Sequence, residues 1–298
     1  MYPAEKIVRA IAKRSSLFEA GTNTFRIVDG SGDELPGLVI DDFNGNWLIA
    51  IKPGRDLPDL DAALGFRSLY GKMLSNEQRQ PPTFLAGEPV TTRFLVQERG
   101  LKFWIDFQAG YSQGIFLDQR ANRQRLRAIS AGKTVLNTFA YTCAFGVAAA
   151  ASGASTTNVD LSRAYLDWGR QNYLANGLDS QAHEFIYGDV FDWLKRLAKK
   201  GRRFDLIVLD PPTFSRDRNG RVFRAETDYS ELLDLALSVL GKHGRLLCCM
   251  NAHRVPRARF EEILRAKLPK VAAIAAIDMP EDFPGSDYLK SFWVERAR

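Results

Sequence analysis

Cysteine is scarce in this 298-residue chain: only Cys143, Cys248 and Cys249 are present, an odd number with two of them adjacent. None stands in a C-x-x-C or zinc-ligand spacing, which excludes a disulfide-stapled module and points to a reducing, cytoplasmic setting. Histidine is equally sparse, and His183, His243 and His253 are too scattered to form a metal constellation. Long apolar runs are missing too. The longest weakly polar stretch, Phe145 to Ser152, is far too short to cross a bilayer, and the charged Glu5, Lys6 and Arg9 argue against a signal peptide at the start. No internal repeat or low-complexity tract is visible. What remains is an ordinary globular balance, 45 % hydrophobic and 26 % charged, in a chain about twice the usual domain length, so one large domain with a smaller companion is expected.

The pattern changes near residue 108. Residues 4 to 14 read as a short basic amphipathic helix. Strand-like runs follow at Phe25 to Val28, Leu38 to Ile40 and Trp47 to Ile51, with turn signals at Asp29-Gly30 and Asn44-Gly45. Leu57 to Leu74 reads as helix, Pro81-Pro82 punctuates, and Arg93 to Val96 and Leu101 to Phe107 read as further strands. The division is therefore an N-terminal helix over 1–20, a small α+β substrate-binding domain over 21–108, and a larger domain over 109–298. In the last, Thr134 to Asn137, Ser155 to Val159, His183 to Tyr187, Phe204 to Leu209 and Arg245 to Met250 are strands separated by helical stretches, which implies a parallel, doubly wound Rossmann-like sheet. Val271 to Ile277 and Tyr288 to Val294 are joined by too few residues for a crossover helix and should form an antiparallel closing pair. That order is expected of a class I methyltransferase rather than of a dinucleotide dehydrogenase.

Ligands of open parallel sheets bind beyond the carboxyl ends of the strands. The first strand leads into Asn137-Thr138-Phe139-Ala140-Tyr141-Thr142-Cys143-Ala144, a tight loop opening a helix. The second ends in Asp160, 23 residues after Asn137 and near the spacing of about 20 at which a carboxylate accepts from ribose hydroxyls. The third leads to Gly188-Asp189-Val190, and the fourth to Asp210-Pro211-Pro212-Thr213-Phe214. Asp160 and Asp189 have a blander reading as helix N-caps. The Pro211-Pro212 pair cannot supply ladder donors, so it stops its strand abruptly and presents Asp210.

Beyond these pieces, residues 20 to 298 resemble the RlmI and RlmK family of bacterial 23S ribosomal RNA methyltransferases. The resemblance rests on Leu35-Pro36-Gly37-Leu38-Val39-Ile40-Asp41, Gly114-Ile115-Phe116-Leu117-Asp118-Gln119-Arg120, Leu136-Asn137-Thr138-Phe139-Ala140-Tyr141-Thr142, Val159-Asp160-Leu161-Ser162 and Asp210-Pro211-Pro212-Thr213-Phe214-Ser215. It implies S-adenosylmethionine as cofactor, with Phe116, Asp118 and Arg120 helping to cover it. It further implies that Asn137, Phe139, Tyr141, Thr142, Leu161, Ser162, Val190 and Pro211 line the site, with Asp160 on the ribose, Asp189 on the adenine and Asp210 near the methionine amino group and target base. The family has glycine after the Tyr-Thr pair, where this chain has Cys143 and Ala144, so a positive φ there does not follow from the sequence. The family's PUA RNA-binding module is expected to be missing, and docking is expected to use other surfaces.

Cytosine C5 is a poor nucleophile, and its methylation needs a thiolate to add at C6. The cytosine branch of the family carries that cysteine after the fifth strand, whereas the alignment places Asn251 there, as in the RlmK-like guanine-N7 branch. Guanine N7 already has an in-plane lone pair, so the enzyme chiefly has to orient it. Asn251 is then a hydrogen-bonding group for a base edge and Phe214 a stacking platform, against plainer readings as a turn cap and a loop anchor. Cys143, Cys248 and Cys249 read as inert small hydrophobes.

Basic residues exceed acidic ones by six, and several cluster after strand ends: Arg216, Arg218, Arg221 and Arg224 after the fourth, Arg254 and Arg257 after the fifth. Arg120, Arg123, Arg125 and Arg127 add to them on the helix that enters the larger domain. Such a cluster suits phosphate neutralisation. The sequence thus points to a cytoplasmic, S-adenosylmethionine-dependent ribosomal RNA methyltransferase acting on guanine N7, with no metal and no membrane. Alternatives are cytosine-C5 methylation, a non-catalytic RNA-binding ribosome-assembly factor motivated by Cys143 and Ala144, and a small-molecule methyltransferase.

Overall fold

A computed structural model describes residues 2–54, 60, 64–73, 81–110, 112–216, 222–268 and 273–295. The chain forms two compact units, Met1–Arg120 with Met279–Ser286, and Ala121–Asp278 with Asp287–Arg298. The segment before residue 20 falls inside the first unit, and the division comes at Arg120 rather than near 108.

In the first unit, helices α1 (Ala4–Ala12) and α2 (Ser15–Glu19) precede a five-stranded sheet. Its strands, in order across the sheet, are β1 (Thr24–Asp29), β2 (Leu38–Phe43), β3 (Asn46–Ile51), β4 (Ser68–Met73) and β5 (Thr83–Gly87). Asn44 and Gly45, with φ of 57° and 80°, make the two-residue turn between β2 and β3 that the Asn-Gly signal predicts. Ile7, Ala10 and Leu17 of the helices bury against Phe25, Ile27, Ile40 and Ile49 of the sheet. The expected helix over Leu57 to Leu74 is not what forms at its end: Ser68–Met73 is a strand, parallel to β3 and antiparallel to β5, and residues 55–59, 61–63 and 74 lie outside the described residues. Its apolar run was too short to separate helix from strand by periodicity, and β5, mostly exposed, carries no alternation to reveal it. Strands β6 (Phe94–Glu98) and β7 (Leu101–Ile105) form a separate hairpin.

The second unit holds the doubly wound sheet. Strands β8 (Thr134–Thr138), β9 (Ser155–Asp160), β10 (Glu184–Tyr187), β11 (Phe204–Leu209) and β14 (Leu240–Met250) are parallel. The antiparallel β16 (Lys290–Glu295) lies between β14 and β15 (Ala273–Ile277), so the order is β10-β9-β8-β11-β14-β16-β15. Helices α3 (Arg120–Ile129), α4 (Ala144–Ala150), α5 (Arg163–Ala175), α6 (Val190–Lys199), α7 (Ala225–Val239) and α8 (Arg257–Lys267) supply the crossovers and the lead-in. Central strands read as continuous apolar runs because both faces are covered: Leu206, Ile207, Val208 and Leu209 of β11 are all inaccessible. An unforeseen hairpin of β12 (Phe214–Arg216) and β13 (Val222–Arg224) follows β11. No described helix is long and apolar enough to cross a membrane.

Candidate functional site

The site is built by register. Thr138 of β8 pairs with Val159 of β9 and Leu209 of β11, and Leu209 pairs with Cys248 of β14. The next residues, Asp160, Phe139, Asp210 and Cys249, therefore emerge at one level, and Tyr187 of β10 joins the row opposite Asp160. Two strand spacings separate Asp160 from Asp210, about 10 Å. Asp160, Asp189 and Asp210 are each half-buried. The strand-tip residues predicted for the cofactor and base, Asn137 through Asn251, thus share one edge of one sheet.

The loop after β8 carries most of the backbone strain in the unit. Phe139, Tyr141 and Cys143 have φ of 51°, 48° and 60°, three non-glycine residues in the left-handed region at alternate positions. Each costs on the order of 1 kcal/mol, and such conformations persist where surroundings enforce them, characteristically around ligands. Asp160 holds the middle one of the three. One carboxylate oxygen accepts from Tyr141 N at 2.7 Å and the other from Ser162 N at 2.8 Å. Burial pushes its acidity down, raising the pKa above the usual aspartate value, and the two N–H donors oppose that shift. Each oxygen keeps a lone pair for a further donor. Cys143 adopts the left-handed geometry although its residue type gave no ground to expect a positive φ there. The cost falls on a neighbour: a Cβ on Gly169 of α5 would lie 2.4 Å from Cys143 Sγ, so only glycine fits at 169.

The two cap readings separate. The N-cap of α5 is Ser162, whose hydroxyl accepts from Tyr165 N at 3.3 Å, so Asp160 is not a cap. Asp189 is one, accepting from Asp192 N at 3.1 Å at the start of α6. Val190 buries its side chain in the core, and Thr142 is inaccessible, its carbonyl accepting from Asn172 at 2.9 Å. Gly146 lets α4 approach β9: a Cβ there would meet Asn158 Oδ1 at 2.2 Å and the Tyr173 hydroxyl at 2.4 Å. Asn137 donates to Asn158 Oδ1 at 3.0 Å, while its own Oδ1, fully enclosed, has no hydrogen-bond partner among the described residues. A buried acceptor left open costs about 1–3 kcal/mol.

On the other side of the row, the Asp210 loop and the loop after β14 are joined by the Thr213 hydroxyl, which donates to Asn251 Oδ1 at 2.6 Å. Phe214 is 50 % exposed, and the Arg224 guanidinium sits 5.3 Å from its ring centroid. Beneath Asn251, Lys290 of β16 is buried and donates to the Ala252 carbonyl at 2.7 Å and the Tyr288 carbonyl at 2.8 Å. Burial depresses the Lys290 pKa. Neither Thr213 nor Lys290 received a role from the sequence, although a lysine inside an apolar strand run was a visible signal.

The cysteines are sealed. All three are buried; burial pushes the Cys248 thiol up to about 12 and the Cys143 thiol well above its ordinary value. The expected arginine cluster is smaller than its count. Arg120 and Arg123 are buried, Arg257 pairs with Asp278 at 3.0 Å, and Arg224 and Arg254 are exposed. Arg218, Arg221 and the side chain of Arg216 lie outside the described residues. Phe116, Asp118 and Arg120 belong to the first unit. Phe116 is 41 % exposed and Asp118 half-buried. Arg120, however, donates to Asp282 at 2.6 Å and to the Thr24 carbonyl at 2.9 Å and lies 3.5 Å from Glu98. Its two terminal nitrogens are thus bonded inside the first unit.

A family model described as S-adenosylmethionine-dependent methyltransferase matches residues 48–293. The chain is 34 % identical to the "Putative ribosomal RNA large subunit methyltransferase YwbD" of Bacillus subtilis (strain 168), over 96 % of this chain and 78 % of that protein. It is 38 % identical to ribosomal RNA large subunit methyltransferase K of Neisseria meningitidis serogroup B (strain ATCC BAA-335 / MC58), over 64 % of this chain and 53 % of that one. Among solved structures it is similar to SMU.776, titled "a putative methyltransferase complexed with SAH", with a TM-score of 0.87 and 29 % identity over 99 % of this chain and 82 % of that chain.

Proposed function

The chain belongs to the S-adenosylmethionine-dependent methyltransferases of the RlmI/RlmK family, and from that premise we propose that it methylates a base of large-subunit ribosomal RNA, namely guanine at N7. S-adenosylmethionine is its cofactor. When bound, it supplies an electrophilic methyl group on a sulfonium centre. The strand-tip residues fit such a group: Asp160 keeps acceptor capacity for ribose hydroxyls, Asp189 adjoins the third strand end, and Asn137 offers an open acceptor. Asp210 is assigned the methionine amino group and the approach of the base. We assign the second unit the transfer and the first the binding of substrate.

The observation that carries the choice of base is the burial of every thiol in the chain. Addition at cytosine C6 needs an accessible thiolate, and here all three thiols are enclosed, those of Cys143 and Cys248 with raised pKa values, while Asn251 stands after β14. Guanine N7 needs no deprotonation, so holding its lone pair in line with the methyl group is the main task. Phe214 provides an exposed ring for stacking, and Arg224 and Arg254 provide phosphate contacts. The substrate reading rests on the ribosomal RNA named in the relatives. The test is nucleoside mass spectrometry of ribosomal RNA from a strain lacking the gene, before and after incubation with the protein and cofactor. One 7-methylguanosine should disappear on deletion and return in vitro; gain of 5-methylcytosine instead would overturn the choice of base.

A further inference from the structure

Asn251 can face a base with either end of its amide, and the two ends read opposite chemistries. The oxygen accepts; the nitrogen donates twice. In this structure the oxygen is occupied, because Thr213 of the Asp-Pro-Pro loop donates its hydroxyl proton to Asn251 Oδ1 at 2.6 Å. Both side chains are exposed at the strand-tip edge. The backbone beneath is held separately: the buried Lys290 ammonium bridges the Ala252 and Tyr288 carbonyls, at 2.7 and 2.8 Å, and so ties the loop after β14 to the strand beside it. The Ala252 side chain is itself inaccessible, and the Met250–Lys290 register fixes the strand to that point.

We infer that Thr213 is a positioning residue that sets the polarity of Asn251, so that the site presents an amide donor and selects a purine with a carbonyl oxygen beside N7. This rests on the guanine-N7 reading. On the edge that carries N7, guanine offers two acceptors, N7 and O6, whereas adenine puts an amine donor next to N7. An Asn251 nitrogen aimed at O6 satisfies guanine and meets a second donor in adenine, which leaves both polar groups unpaired. Lys290 serves the same end one residue further along, by fixing the main chain from which Asn251 projects.

The test uses the full chain with 23S ribosomal RNA from the deletion strain, and calorimetry with S-adenosylhomocysteine as the check on folding. Asn251→Asp keeps the shape but offers only acceptors; it should lower kcat/KM about 100-fold with cofactor affinity unchanged. Thr213→Val, isosteric and exposed, should lower kcat about 5- to 10-fold at constant KM for cofactor, and Thr213→Ser should restore it. A role confined to loop stability would shift the melting temperature and cofactor affinity instead, without serine rescue of kcat. Asn251→Asp within twofold of the parent, or Thr213→Val indistinguishable from it, while the product remains 7-methylguanosine, would overturn this inference and leave the choice of base standing. A 5-methylcytosine product would remove both.

Discussion

The two units bury charge in opposite ways. In the first, most of the enclosed ionic groups described are answered by each other. Arg14 meets Asp33 through two bonds of 2.7 Å, Arg120 meets Asp282 at 2.6 Å, and Asp282 also accepts from Arg26 N at 2.8 Å. Asp29 receives Gly285 N and the Ser286 hydroxyl, both at 2.8 Å, and a Cβ on Gly32 would fall 2.2 Å from Gly285 N. In this way the returning Met279–Ser286 segment is tied into the unit. In the second unit, the Asp160 and Asp189 carboxylates at the strand ends are half-buried and meet backbone N–H groups, and the described ion pairs lie towards the surface. A carboxylate matched by a guanidinium has its charge neutralised; one matched by backbone donors keeps its charge available. Arg120 and Asp160 belong to neighbouring stretches of the same family motifs, yet they fall on opposite sides of this division.

The strongest way to sharpen that contrast is to break the enclosed network. Asp282→Ala strands the Arg120 guanidinium without its shortest contact, and removing one partner of a buried pair costs about 3–5 kcal/mol. Thermal unfolding should show a large drop in Tm, while calorimetric affinity for S-adenosylhomocysteine below the transition stays within about threefold. The reverse outcome, intact stability with lost cofactor binding, would abolish the distinction between the units.

Asp42 tests the contrast from its exception, a first-unit carboxylate met by a backbone donor. It is buried in the β2–β3 turn, accepts from Gly45 N at 2.6 Å, and burial raises its pKa to about 7. Because the folded value lies above the unfolded one, its stabilising contribution is complete below about pH 4 and is lost as the pH climbs through 7. At about 1.4 kcal/mol per unit, the span is at most about 4 kcal/mol. Denaturant titrations from pH 4 to 8 should show declining stability, and Asp42→Asn should flatten the decline. An unchanged slope in that variant would place the titrating group elsewhere.

What could be read without coordinates follows the same division. The parallel strands of the second unit were legible because burial on both faces writes continuous apolar runs, and their ends were legible because proline and aspartate punctuate them. The burial of Arg120 was not, since a motif gives no sign of whether Asp282, 162 residues away, will bond to the side chain. Ser68–Met73 failed for want of periodicity, and Thr213 because one hydroxyl in a turn shows no partner until the next strand is laid beside it. The left-handed conformation at Cys143 was hidden by its residue type; its compensating signal, Gly169, sits in a different helix.

The finest test lies within the second unit, between two aspartates that the sequence presents as equals. Asp160 clasps the strained loop through Tyr141 N and is the residue proposed for the ribose, whereas Asp189 is bonded as the cap of α6. Asp160→Ala should weaken S-adenosylhomocysteine binding about 10- to 100-fold, which is about 1.4–2.8 kcal/mol, by loss of ligand acceptors and release of the loop. Asp189→Ala should cost about 1 kcal/mol of stability through the lost cap, with any loss of affinity coming from its proposed adenine contact. Asp189→Ser separates these contributions, since serine still caps the helix but cannot carry the carboxylate. If serine restores both stability and affinity, Asp189 acts by building α6; if it restores stability alone, the carboxylate itself faces the cofactor.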